Sequence, residues 1–314
     1  MNILKKFSKR AILGAMICGS TFFNSALAAP APAIDGMTAF CEAITTPSKP
    51  DKRVFHEDIY FFIPEGHIQL EILGQTKKNI FRLAGSLEII STNENGSAFN
   101  FNIPFHIVQE SKNMTIYFNF DGQWKKFQTP SVAAAMIDSV VTPEKSDIEE
   151  EISMVKEVKV LRETDKQRTM LVKLDGNKLA DIILKYDKDN PADKGTSNDK
   201  ELHDNFMKYL DKGTRRADTW YIWTVDKESW QTITQGTFLS SIIQETARAA
   251  LEDTNANWDP VAESILETIA YYSDFKEYTT FLNSNADARF DLPEEAKKAV
   301  LVNDLIPDEE STSK

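Results

Sequence analysis

Apolar residues recur along this chain at two different periods, and the switches between them outline its elements. The most regular stretch is Phe99, Phe101, Ile103, Phe105 and Ile107, interleaved with Asn100, Asn102, Pro104 and His106. A period of two puts five large apolar side chains on one face of one strand. Ile116, Phe118 and Phe120 continue the alternation, followed by Asp121-Gly122 and then Trp124. Asp-Gly between alternating segments predicts a tight hairpin. Pro104 has no N–H for a ladder, which predicts an edge strand or a bulge there. Upstream, Ile68, Leu70, Ile72, Phe81, Leu83, Leu87 and Ile89 read as further strands, with Ala84-Gly85 as a bulge or bend.

A second strand-rich block runs from Val158 and Val160 through Met170, Val172 and Leu174. Asp175-Gly176 reads as its second hairpin turn. Residues 219–225, Thr-Trp-Tyr-Ile-Trp-Thr-Val, predict a strand with aromatics on both faces, and Trp230, Thr232 and Thr234 begin its partner.

The helical period appears elsewhere. Met37, Phe40, Cys41 and Ile44 share one face of a short helix; Ser131 caps another that ends before Pro143. Leu202, Phe206, Tyr209 and Leu210 predict an inserted helix. From Thr237 the pattern is helical to the end. Phe238, Ile242, Ala247 and Leu251 form one stripe, and Asp259-Pro260 opens the next helix, with Val261, Ile265, Ile269, Tyr272 and Phe275. Tyr278, Phe281 and Leu282 prolong that helical reading. Asp291 and Glu294 form a capping-box-like pair opening a last helix through Leu301, before an acidic tail from Pro307 that is expected to be disordered.

Strands joined by tight turns and segregated from helices imply an α+β fold with an antiparallel sheet. The expected organisation is a leader over 1–28, an antiparallel-sheet domain over 29–236, and a helical extension with an acidic tail over 237–314. Lys5, Lys6, Lys9 and Arg10, an apolar run and Ala26-Leu27-Ala28 have the layout of a secretory signal peptide cleaved after Ala28. That predicts export, to the periplasm or the medium. The apolar run is too short to span a bilayer, and no later stretch suits a transmembrane segment.

Charge narrows the partners. The chain carries 36 Lys and Arg against 48 Asp and Glu, a formal net charge of −12. Removing a leader with four basic and no acidic residues takes it to −16. Such a balance argues against a nucleic-acid partner. After cleavage Cys41 is the remaining cysteine, so no intramolecular disulfide forms, and its spacing favours packing over a reactive thiol.

Chemistry-bearing motifs are absent from the pattern. No two of His56, His67, His106 and His203 have zinc-helix spacing, and there is no nucleophile elbow, Walker loop, dinucleotide fingerprint or C-x-x-C. The acidic run 144–151 has no turn glycine, and the 187–199 loop places Pro191 and Ala192 where a calcium loop needs an acceptor and a glycine. No metal, cofactor or catalytic residue is assigned, and a non-enzymatic protein is expected.

Two segments, TIYFNFDGQWKKF at 115–127 and MLVKLDGNKL at 170–179, together with the leader and the helix around Phe40, resemble exported relatives of the LolA/LppX-like lipoprotein-carrier superfamily. The resemblance covers roughly residues 33–235. It implies a curved antiparallel half-barrel covered by helices, holding acyl chains or other apolar matter between sheet and lid. The long helical tail and the polar insertion near 187–212 depart from that pattern. The candidate ligand face is then Phe99, Phe101, Ile103, Phe105, Ile107, Ile116, Phe118 and Phe120. Burying a Phe is worth roughly 1.5–3 kcal/mol whether a ligand or a helix covers it, so that face reads equally as an ordinary core. The leading expectation is a cell-envelope protein that binds a lipid or lipidated protein. The alternative is an envelope interaction module whose core is fully packed and whose helical tail docks a protein partner.

Overall fold

A computed structural model describes residues 34–46, 53–77, 80–92, 98–110, 113–130, 145–189, 197–282 and 290–302. The leader, the Ser131 helix and the acidic tail lie outside the described residues. The strands are β1 (Arg53–Ile63), β2 (Gly66–Lys77), β3 (Ile80–Thr92), β4 (Ala98–Glu110), β5 (Asn113–Phe120), β6 (Gln123–Pro130), β7 (Val155–Glu163), β8 (Gln167–Leu174), β9 (Trp220–Asp226), β10 (Thr232–Phe238), β11 (Asp274–Leu282) and β12 (Val300–Leu301). The helices are α1 (Gly36–Thr45), α2 (Lys145–Met154), α3 (Gly176–Asp189), α4 (Ser197–Arg216), α5 (Ser240–Leu251), α6 (Pro260–Tyr272) and α7 (Glu294–Lys297). Among the described residues the strands join in the order β12-β6-β5-β4-β3-β2-β1-β11-β10-β9-β8-β7, whose two ends remain unpaired with each other. β12 runs parallel to β6, so the sheet is mixed. The α+β class holds.

The chain divides into two compact units: Met1–Ser48, Asp58–Ile68 and Pro143–Thr280 form the first, and Lys49–Glu57, Gln69–Thr142 and Phe281–Lys314 the second. In the first, α1 starts at Asp35, whose carboxylate accepts from the Thr38 N–H at 3.0 Å. Its apolar stripe then covers β8 and β9. Phe40, Met170, Val172 and Val225 are fully buried, and Phe40 meets Trp223 edge-on at 5.7 Å. Cys41 packs at the border of this core. Arg168, 5% exposed, pins α1 to the sheet: one guanidinium nitrogen donates to Glu42 and another to Glu163, both at 3.1 Å, and the group lies 5.4 Å from the Trp230 ring. The acidic run enters α2 from Lys145 onward. α5 and α6 pack on α4 through Tyr209, Ala249, Ala250 and Leu266. Asp259 caps α6 by accepting from the Val261 and Ala262 N–H groups, with Pro260 in the first turn.

Three expectations need correction. Asp175-Gly176 is not a hairpin. The Asp175 carboxylate accepts from the Asn177 N–H at 2.9 Å and opens α3 instead. A Cβ on Gly176 would lie 2.5 Å from the Thr214 carbonyl oxygen, so glycine is needed there for close approach rather than for a turn. Asp121-Gly122 does make the hairpin, with φ of 52° and 75°, the paired positive values of a type I′ turn. Second, the chain after Tyr272 is not helical. Ser273 stops α6, its hydroxyl donating to the Ile269 carbonyl, and Ser240 binds Asp274 and the Phe275 N–H. The chain then enters the sheet as β11, pairing with β10 from Thr234↔Thr280 to Phe238↔Lys276. The last helix is likewise one turn, α7, followed by β12. Third, β3 and β4 pair through Ala84 and Gly85 without a register shift, so no bulge toward β4 forms there.

Candidate functional site

The second unit builds its apolar face from consecutive strands, so the alternation read in sequence becomes one surface. Phe99 lies opposite Ser91, Phe101 opposite Ile89, Ile103 opposite Leu87, Phe105 opposite Gly85, and Ile107 opposite Leu83. Across the other edge of β4, Phe105 faces Phe118 and Ile107 faces Ile116. β5 and β6 add Phe118↔Lys125, Ile116↔Phe127 and Phe120↔Gln123. The register therefore brings all eight candidate residues onto one face. Phe99 and Phe101 sit 4.4 Å apart by ring centroids, Phe101 and Phe120 5.6 Å, and the Lys125 ammonium rides 5.9 Å from the Phe120 ring.

Pro104 explains how far this face is knit together. β4 is not an edge strand, but its pairing with β5 runs only from Phe105 to Glu110. The stretch before it pairs with β3 alone, and Pro104 stands where the second ladder stops. A residue without an N–H fits that boundary.

Along β5 the burial of the two faces is inverted. Phe99 is 53% exposed and Phe120 36%, and the other six candidates are half-buried. Gln109, the next residue of the alternation on the candidate face, is buried, and on the opposite face Thr115 and Tyr117 are buried. Tyr117, Val108 and Trp124 there pack against Leu292, Ala296 and Ala299, from the segment that carries α7. β12 holds that segment in place, the Val302 N–H donating to the Lys126 carbonyl at 2.8 Å. The expected helical cover of the aromatic face is therefore found, among the described residues, on the other face. His106 lies on that covered side, 5.8 Å from the Trp124 ring, with its Nδ1 unpartnered, and burial pushes its pKa down.

A second aromatic feature escaped the sequence. In the first unit, on the side of β9 away from α1, Trp220 stacks on Phe238 at 5.1 Å. Phe238 meets Tyr278 at 6.2 Å, Tyr278 meets Tyr60 at 6.2 Å, Tyr60 stacks on Phe62 at 5.9 Å, and Phe62 meets the His67 ring at 5.4 Å. Trp220 and Phe62 are the exposed members. The rings come from strands distant in sequence, so no local period could have revealed the row. Of the two tryptophans on β9, Trp220 lies at the exposed end of this row and Trp223 packs under α1.

No acid–base or nucleophile constellation accompanies these surfaces among the described residues. His56 contacts Glu71 at 3.0 Å and His203 contacts Asp187 at 2.9 Å. A cleft of about 260 Å³ lined by Asp181, Leu184, Lys185 and Lys188 belongs to α3, and this mostly charged lining does not suit an acyl chain. A scan of protein-family models gives no match to this chain, and a comparison with curated proteins gives no similar one.

Proposed function

We propose that this protein is an exported, non-enzymatic carrier of the LolA/LppX-like kind, which binds a lipid or a lipidated partner along the apolar face of β4 and β5. The observation that carries this reading is the inversion of burial along β5: the face with five phenylalanines, two of them on β5, is accessible there, and Thr115 and Tyr117 on the other face are closed. An accessible contiguous apolar face is a recognised mark of a binding surface. The leader over 1–28 supports delivery to the cell envelope. In this reading an acyl chain runs across Phe99, Phe101 and Phe120, with Lys125 beside it to meet an anionic headgroup. The long antiparallel strands of the second unit are consistent with the half-barrel expected of such carriers.

Denaturing extraction of the purified protein followed by lipid mass spectrometry is the direct test, joined to uptake of a fluorescent fatty acid. Bound lipid, or uptake that Phe101→Asp reduces, supports the carrier. Neither bound lipid nor uptake overturns it.

A further inference from the structure

The α7 segment is a thin cover. α7 is a single turn whose N-cap, Pro293, makes no side-chain hydrogen bond, and β12 pairs with β6 through Val300 and Leu301 alone among the described residues. Val300 is 66% exposed. One helical turn and a two-residue strand hold little structure by themselves, so the segment stays in place through what it packs on. Leu292, Ala296 and Ala299 lie on Tyr117, Val108 and Trp124, and Ala296 is fully buried.

His106 stands among those three residues. It is opposite Tyr117 in the β4–β5 ladder, shares its face with Val108, and its ring is 5.8 Å from Trp124. Its Nδ1 is closed to solvent with no hydrogen-bond partner, and no ion pair reaches the ring among the described residues. Its surroundings do not compensate a positive imidazole. On that face β3 brings Arg82, Ala84 and Ser86, β5 brings Thr115, Tyr117 and Asn119, and β6 brings Trp124, Lys126 and Gln128. Glu88 and Glu110 occupy positions four residues from His106 along the β3–β4 and β4–β5 pairings, about 13 Å away by strand rise. The cover contributes Asp291, Glu294, Glu295, Lys297 and Lys298, all exposed, with Glu294 paired to Lys297.

Burial accordingly holds the His106 pKa below the ordinary histidine value. A proton binds better once Nδ1 is wet than while it is dry. A histidine depressed in the closed form lends stability that is complete above about pH 6.5 and lost as pH falls toward the closed-form value. We propose that the segment from Leu292 to Val302 is a proton-released strap, closed over Tyr117 and Trp124 while His106 is neutral and let go when the imidazole takes a proton. Release uncovers those two rings and frees the Lys126 carbonyl on β6, to which the Val302 N–H donates in the closed form. The inference is independent of the lipid-carrier reading, because it concerns the opposite face of the same strands.

Methyl NMR of the full chain from about pH 7.5 to about pH 5 tests it, a range in which the exposed carboxylates of the cover stay ionised. Relaxation dispersion of the Ala296 and Ala299 methyls measures the open population, and the His106 ring signals measure its titration in the same sample. The open population grows by up to about tenfold per pH unit as His106 takes up its proton. His106→Phe keeps a ring that binds no proton, so both methyls stay closed throughout the range. His56→Gln, at the other described histidine of the second unit, leaves the growth as in the parent. Growth that persists in His106→Phe or disappears in His56→Gln overturns the proposal. So does a flat open population while His106 titrates, a result read in the parent and therefore independent of how the variants fold. Ile107 and Ile116 methyls that open together with the two alanines also overturn it, since the sheet itself would then be coming apart rather than the strap.

Discussion

In β8 and β9 the alternation of Met170, Val172, Tyr221, Trp223 and Val225 lies beneath α1 and is closed to solvent. In β4 and β5 the alternation from Phe99 to Phe120 is no weaker, and none of its eight side chains is buried. The first unit supplies a matching cover, a capped helix whose Phe40 meets Trp223. Among the described residues the second supplies the short α7 segment, whose Ala296 and Ala299 pack against Tyr117 on the other side. Alternation therefore reports which side chains share a face. What lies over that face depends on a separate element with its own stripe, and the two can be read together only when that element's period is equally clear.

The contrast is broken most severely at Phe40. Phe40→Ala removes a fully buried ring between α1 and the sheet and costs about 3–5 kcal/mol in chemical denaturation. Phe99→Ala, the same change on the open face, stays within about 0.5 kcal/mol. Comparable losses at the two positions would mean that the β4 face is an ordinary core, and the carrier reading would go with it.

Arg168 gives the next effect. Arg168→Ala leaves Glu42 and Glu163 without their shared cation and strips the Trp230 ring of its guanidinium. A loss of about 1–3 kcal/mol is expected by thermal or urea unfolding. Glu163 retains Lys227 at 2.7 Å, and hydrogen bonding to Lys227 is the main reason its carboxyl lies below the usual range, with Arg168 adding to it. Lys227→Met should therefore raise the Glu163 pKa more than Glu42→Gln does, a difference that carboxyl NMR titration reads directly.

On the open face the sharpest measure is function rather than stability. Phe101→Asp with Phe120→Ser should leave the unfolding midpoint nearly unchanged and cut fluorescent fatty-acid uptake by about tenfold or more. A large drop in stability with unchanged uptake would reverse the assignment of the two faces.

How much of this was legible beforehand follows from how local each signal is. The β4–β5–β6 meander, the α1 stripe and the Asp259 cap are written in contiguous residues, and the structure keeps all three. Asp175-Gly176 misled because aspartate serves a turn and a helix N-terminus equally well. What distinguished it was Leu179, Ala180, Ile182 and Ile183, whose spacing is helical. β11 misled for a subtler reason. Its buried positions are Glu277 and Thr279, so the inward face is polar, and Tyr278, Phe281 and Leu282 left a pattern that resembled a helix. The aromatic row through Trp220, Phe238, Tyr278 and Tyr60 could not be read at all, because its members meet only once four strands are paired.

The smallest effect concerns the helical layer of the first unit and its response to acid. Glu252 pairs with Arg216 at 2.8 Å and Lys212 at 2.6 Å, and Asp253 with Lys208 at 2.5 Å and the Tyr209 hydroxyl at 3.0 Å. Hydrogen bonds from Arg216 and Lys212 hold the Glu252 pKa down to about 2, and the Lys208 hydrogen bond does the same for Asp253, also to about 2. A carboxyl whose folded pKa is depressed lends stability that is complete above its unfolded value and lost as pH falls toward the folded one. The window therefore runs from roughly pH 4.5 down to about 2. These groups tie the end of α5 to α4, and surface pairs of this kind contribute modestly. The double variant Glu252→Gln, Asp253→Asn should unfold a few degrees below the parent at pH 6 and coincide with it near pH 2. A gap that persists unchanged into acid would show that these carboxylates act there through packing rather than charge, and that the first unit is held together by its buried faces alone.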